Sequence, residues 1–130
     1  MERELLYVEL QDESLHRGPA WIALVKRSRS GRTVYFDGKA LSRARGGGLA
    51  GNHIDRETGE VYWVSAPKKD GRDRHRYGGG PVQVEERALA SYSVLRGLTE
   101  LDPRTHPVVP NLSEPDMERL HRLENEPLTE

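Results

Sequence analysis

The run Ala20-Trp-Ile-Ala-Leu-Val25, followed by Arg32-Thr-Val-Tyr-Phe36, Asp37-Gly38 and the segment Lys39 to Arg45, decides the fold class. The first segment is apolar on both alternations, Trp21, Ala23 and Val25 on one and Ile22 and Leu24 on the other. That is the pattern of a strand covered on two sides. The second segment is rich in β-branched and aromatic residues. Asp-Gly then supplies the positive φ that a type I′ hairpin turn needs at both central positions. With Ser28 to Gly31 as the earlier turn, the three segments read as an antiparallel meander.

Working outward, Glu4 to Leu10 reads as a preceding strand, and Gly46-Gly-Gly48 ends the meander. Asp55 to Glu60 is a turn, Val61 to Val64 a further strand, Pro67 to Gly80 a loop, and Pro81 to Val84 a last strand. Glu85 to Arg96 then carries Ala88, Leu89, Tyr92 and Leu95 on one helical face, opens with two acids and closes on Gly97. The expected class is mainly β with α: a small bent antiparallel sheet or SH3-like partial barrel of five to six strands, capped by one helix. An α+β roll is the other arrangement the pattern allows.

Composition limits how much of the chain packs. Of 130 residues, 35% are hydrophobic and 32% charged, and after Asp102 five prolines (103, 107, 110, 115 and 127) stand among few large apolar groups. Residues 1–98 are therefore expected as one β-rich domain with its helix at 85–96, and 99–130 as a Pro-rich acidic tail. Within the tail, Ser113-Glu-Pro-Asp116 resembles a helix start, and Met117, Leu120 and Leu123 line one side of a short helix at about 114–124. Such a helix is too short to persist alone, so it docks on its own domain or on a partner.

Zero cysteines exclude a disulfide scaffold, a thiolate metal site and a cysteine nucleophile. No apolar run approaches the ~18 residues of a membrane-spanning helix, and the start lacks the order of a secretory signal. A cytoplasmic protein without membrane contact is the expectation.

A net charge of −1 conceals segregation. Residues 1–16 carry a net −4, residues 17–84 a net +8 and residues 85–130 a net −5. Either the basic middle is a footprint for a polyanion, or the acidic ends fold back over it. Lys68, Lys69, Arg72, Arg74, His75 and Arg76 fall within nine residues, followed by Tyr77 and three glycines. Lys and Arg neutralise phosphates and Tyr stacks on bases, and Arg43 and Arg45 extend the set. Asp70 and Asp73 interrupt the run. These eight Arg, Lys and Tyr positions are the candidate binding residues, with an acidic protein or a nucleic acid as partner.

A second reading is catalytic. His53-Ile-Asp55 and Asp73-Arg-His75 each place a His and an Asp two apart, on one side of an extended backbone. Were the segments to meet, His53, Asp55, Asp73 and His75 would suit a metal-assisted hydrolase or nuclease. The bland alternative is two turns, with Asp55 bonding its own turn backbone. Gly46-Gly-Gly-Leu-Ala-Gly51 has the G-x-G-x-x-G spacing of dinucleotide sites, but no helix follows it. No cofactor is implied, and a structural subunit that turns Trp21 or Trp63 to a partner is the third possibility. The oligomeric state is not encoded in anything legible here.

The blocks Gly18-Pro-Ala-Trp-Ile22, Gly31-Arg-Thr-Val-Tyr-Phe36, Gly38-Lys39, Gly51-Asn52, Glu57-Thr-Gly-Glu60, Tyr62-Trp63, Lys68-Lys-Asp-Gly71 and Asp73-Arg-His75 resemble a family of small uncharacterised bacterial proteins. Such proteins are sometimes labelled deoxyxylulose-phosphate synthase. The resemblance covers about residues 18–95 and implies a compact single domain in the bacterial cytoplasm. It implies no activity: the synthases resemble transketolases, which are several-fold longer, and their Gly-Asp-Gly diphosphate motif is absent here. The combined reading is a non-enzymatic binding module with a basic loop face.

Overall fold

The structure is a computed structural model and describes residues 2–11, 18–44, 51–74 and 80–125. Alternation organises it from the first strand. β1 (Arg3–Gln11) turns Leu6, Val8 and Leu10 to one side, and Leu5 and Tyr7 to the other. It pairs antiparallel with β2 (Ala20–Arg27), from Arg3 opposite Lys26 to Glu9 opposite Ala20. The chain continues through β3 (Thr33–Phe36), β4 (Lys39–Arg43), β5 (His53–Asp55) and β6 (Val61–Ser65), each antiparallel to the one before. β6 then pairs with β1, and six strands close a barrel with no free edge between them. β7 (Gln83–Glu85) and β8 (Val108–Val109) extend the sheet in parallel from the first residues of β2.

The barrel wall separates two apolar clusters. Leu6, Val8, Val25, Val34, Phe36 and Leu41 are among the buried interior residues, with Trp21 edge-on to Phe36 at 5.1 Å. Outside, Tyr7, Ile22 and Val84 form a floor for the helical cap. A 3-10 turn (Glu86–Ala88) leads into α1 (Leu89–Arg96), which sets Tyr92 fully buried on that floor. Gly97, at φ 65°, ends the helix, with its N–H on the Val94 carbonyl and that of Leu98 on the Ser93 carbonyl.

The protein is thus mainly β, a small closed barrel with a helix on it. The meander and its Asp37-Gly38 turn are as the sequence reads, with φ 48° and 74° at the two turn residues. Three differences have physical causes. The segment His53–Asp55, expected as loop, is a strand whose polar side chains face inward. Glu85, expected to open the helix, belongs to β7. The segment set apart as a tail, whose docking the sequence leaves open, packs on its own domain through Leu101, Leu112, Met117 and Leu120. There β8 pairs with β7, Leu112 packs against the interior cluster, and α2 (Met117–Asn125) lays Met117 and Leu120 against Tyr35 and Ala40. Asp116, rather than Ser113, starts that helix, its carboxylate accepting the Arg119 N–H at 3.2 Å.

One buried carboxylate closes the wall where strands part. β2 and β3 pair only at Lys26–Tyr35 and Arg27–Val34, while β7 pairs with β2 at Trp21 and Ile22. Between them Glu85 replaces a missing strand carbonyl: Oε1 accepts the Leu24 N–H at 3.0 Å and Oε2 accepts the Leu112 N–H at 2.9 Å. Glu85→Ala leaves both N–H groups without that acceptor and should cost about 2–4 kcal/mol by urea denaturation. Glu86→Ala, at the exposed neighbour, should stay within about 0.5 kcal/mol.

Candidate functional site: the cationic end of the barrel

Because neighbouring strands run in opposite directions, β2, β4 and β6 finish at the end where β1, β3 and β5 begin. The connections 28–32, 44–52 and 66–82 leave from that end, whereas 37–38 and 56–60 turn at the other. Both ends carry charge, and the second holds Lys39 and Arg56 beside its acids. The first end carries Arg29, Arg32 and Arg43 and sends out the connection holding Lys68, Lys69 and Arg72. The second carries Asp37, Asp55, Glu57 and Glu60.

Local hydrogen bonds build the basic rim. In the 28–32 turn the Gly31 N–H donates to the Ser28 carbonyl at 2.8 Å, with Gly31 at φ 79°. The Arg32 N–H reaches Ser30 Oγ at 3.3 Å. Arg27 braces the turn, donating to the Gly31 carbonyl at 3.2 Å and through two nitrogens to the Glu4 carboxylate at 3.1 and 2.9 Å. Arg29 and Arg32 are left exposed. The Arg43 N–H donates to the Arg32 carbonyl at 2.8 Å, and Arg43 stands opposite His53 across the β4–β5 pair. Arg32, just before β3, and Arg43, at the end of β4, are therefore neighbours through their backbones, which brings two like charges close at the rim.

The connection after β6 divides its charges between surface and interior. Lys68, Lys69 and Arg72 are exposed. Asp73 turns inward, 3% exposed, accepting the Lys68 N–H at 2.6 Å and facing the Tyr92 hydroxyl at 3.4 Å. Burial pushes its carboxyl up while the Lys68 N–H opposes that shift. Arg74 also turns inward, donating to the carbonyls of Gly18 at 2.5 Å, Pro81 at 2.8 Å and Gly80 at 3.3 Å, and lying 3.6 Å from Glu9. Its guanidinium is thus occupied by backbone carbonyls, unlike those of the exposed cations beside it. Arg45, His75, Arg76 and Tyr77 lie outside the described residues.

Most cations elsewhere among the described residues are paired, although Arg96 and the exposed Arg122 form no salt bridge. Arg3, Lys26, Arg27, Lys39, Arg74, Arg87, Arg104 and Arg119 each form a salt bridge. Among the described residues, Arg29, Arg32, Arg43, Lys68, Lys69 and Arg72 form none. Arg29 and Arg32 escaped the sequence reading. The alternation of strand direction was the signal that could have placed them beside Arg43.

The catalytic grouping is not assembled by its described members. His53 and Asp55 stand opposite the interior residues Tyr62 and Leu41 and so share the inner side of the wall. Asp73 meets Tyr92 in the outer cluster. Asp55 accepts the Glu57 N–H at 2.8 Å, bonding its own turn as the bland reading has it, though buried. Among the described residues no group of three or more His, Asp or Glu is placed to hold a metal ion. Gly51 is followed by β5 rather than a helix, and a Cβ there would meet the Tyr62 carbonyl. Trp21 and Trp63 are half-buried against the two clusters, so neither offers an exposed ring. No helix among the described residues is long and apolar enough to cross a membrane.

A polar network unseen in the sequence lies beside α1. Tyr7 donates to the fully buried Glu9, whose other oxygen accepts Gln11 Nε2 at 2.6 Å. Burial, then the Glu9 bond, pushes the Tyr7 hydroxyl up, keeping it a donor. The Tyr92 hydroxyl accepts from Arg96 at 3.1 Å and lies 3.2 Å from His106 Nε2. The first set lies within β1 and the second joins α1 to Asp73 and His106, leaving the groups committed to one another.

His53 makes a testable pH dependence. Asn52 Oδ1 accepts the Val64 N–H at 2.8 Å and lies 2.9 Å from His53 Nδ1, so Nδ1 carries the proton and Nε2 is bare. Burial, with Arg27 and Arg43 nearby, lowers the pKa from 6.5 to about 4. The unfolded chain therefore takes up the proton first as pH falls, and stability contributed by neutral His53 is full above 6.5 and lost down to about 4. The loss should reach roughly 3 kcal/mol, and His53→Gln should flatten that part of a stability-against-pH curve. Scanned against family models, curated proteins and solved structures, the chain matches none.

Proposed function

We propose that the chain is a non-enzymatic binding module that takes the phosphate backbone of a nucleic acid across the basic end of its barrel. The observation that carries this reading is the set Arg29, Arg32, Arg43, Lys68, Lys69 and Arg72, all exposed and, among the described residues, free of salt bridges. In small barrels, SH3-like or closed, the connections rather than the strands carry recognition.

The surroundings favour phosphate over other anionic partners. An acidic protein partner calls for an apolar interface centre. The exposed large hydrophobics described are three single residues, Val94 and Leu98 on and after α1 and Val108 on β8. Base stacking calls for an exposed aromatic ring, and none of the described aromatic residues is exposed. What remains is neutralisation of backbone charge, which needs only correctly spaced cations. On this reading the protein works in the cytoplasm, in keeping with its resemblance to small bacterial proteins.

Anisotropy titrations of a short mixed-sequence duplex DNA over a salt series test the proposal. Arg32→Gln and Arg43→Gln should each weaken binding several-fold and reduce the slope of log K against log salt by about 0.9. Lys39→Gln, at the opposite end and already paired with Asp37, should leave the slope unchanged. Absence of binding at low salt, or an affinity indifferent to salt, overturns the reading.

A further inference from the structure

The outer side of the β1–β2 pair holds a second gathering of cations, and the chain itself occupies it. Arg3 and Lys26 are register partners on neighbouring strands, and Arg87 approaches from the turn before α1. All three converge on Glu114. Its carboxylate accepts from Arg3 Nη2 at 2.7 and 2.9 Å and from Arg87 Nη1 at 2.5 Å, with Lys26 Nζ at 3.9 Å. Two cationic strand residues and one turn residue thus form a cradle around the Glu114 carboxylate, with Arg87 Nε also 3.5 Å from the buried Glu85.

Several features set Glu114 apart from an ordinary surface ion pair. Its side chain is 53% exposed, so solvent reaches the anion while three cations face it. Glu114 lies on the strap 110–116 between β8 and α2, an irregular segment that crosses the barrel wall. Lys26 immediately precedes Arg27 and the turn bearing Arg29 and Arg32, so the cradle adjoins the basic rim. A phosphodiester offers the same pair of charged oxygens as a carboxylate, and Arg binds both in its planar fork.

We propose that the Arg3–Lys26–Arg87 cradle is a second anion site at the basic end, built for a phosphodiester of the bound nucleic acid, with Glu114 as its internal stand-in, displaced on binding. This rests on the function proposed above and adds to it a contact and a built-in competitor. Exposed ion pairs in water are weak individually, so exchange of the carboxylate for a phosphate of a highly charged polymer is favoured at low salt. In the free protein the strap holds the cradle shut against isolated anions.

The experiment compares wild type, Glu114→Gln and Glu118→Gln in duplex DNA titrations over a salt series. Glu118 is exposed on α2 and stands in no salt bridge among the described residues, so its neutralisation removes the same charge without opening the cradle. Glu114→Gln should bind about five-fold or more tightly than Glu118→Gln, beyond the long-range effect of one charge. In the Glu114→Gln background, Arg3→Gln should cancel that gain and lower the salt slope by about 0.9. Arg87→Gln gives the same reading from outside the barrel should Arg3→Gln perturb β1. If Glu114→Gln binds no better than Glu118→Gln while Arg32→Gln and Arg43→Gln still weaken binding, the cradle is no site and the basic rim stands. If none of the variants binds the duplex at low salt, both proposals fall.

Discussion

The antiparallel pairing of β1 with β2 is the constraint on which the remaining structure depends. It closes the barrel, and by fixing register it assigns every side chain of both strands to one side of the wall. Leu6, Val8, Ala23 and Val25 go inward together, while Tyr7 and Ile22 go outward to meet α1. A slip of one residue would exchange the two sets. It would also carry Glu9, held by Tyr7 and Gln11 on the outer side, into the apolar interior.

Alternating strand direction then converts sequence order into spatial order. Successive connections leave from opposite ends, so Arg29, Arg32 and Arg43 come to one end of the barrel and Asp37, Glu57 and Glu60 to the other. The overall net charge of −1 says nothing of this. Elsewhere acids and bases neutralise each other locally: Glu4 with Arg27, Asp37 with Lys39, Asp102 with Arg104. Of the two acids in the connection after β6, Asp73 turns inward to a backbone N–H and a tyrosine, while Asp70 stays exposed and accepts the Arg72 N–H.

Strong local signals were legible in the sequence, and long-range exchanges were not. The strands around Ala20 to Arg43, the Asp37-Gly38 turn and the Gly97 helix stop each announce themselves within a few residues. β5 is hidden because His53 and Asp55 are polar yet buried, His53 Nδ1 bonded to Asn52 and Asp55 to a turn N–H that adjacent sequence does not reveal as interior. The docking of 99–125 is hidden for a related reason. Leu120 is legible with Met117 as one side of a short helix, but its partners Tyr35 and Ala40 lie some eighty residues away, and nothing local marks Leu112. At the site, Lys68, Lys69, Arg72 and Arg43 were readable as a basic group. Arg74, identical in type, serves backbone carbonyls instead, a distinction only three-dimensional placement supplies.

The anchoring of Leu112 by Glu85 determines how far the strap can travel. Glu114 follows that anchor by two residues, so a carboxylate leaving its cations remains tethered within a few ångströms of them. Its effective concentration there is on the order of millimolar or higher, independent of how much protein is present. A tethered competitor of this kind sets residence time as well as occupancy. It refills the vacancy as soon as an incoming group loosens, giving a surface that lets go quickly and can sample many positions along a uniform polymer.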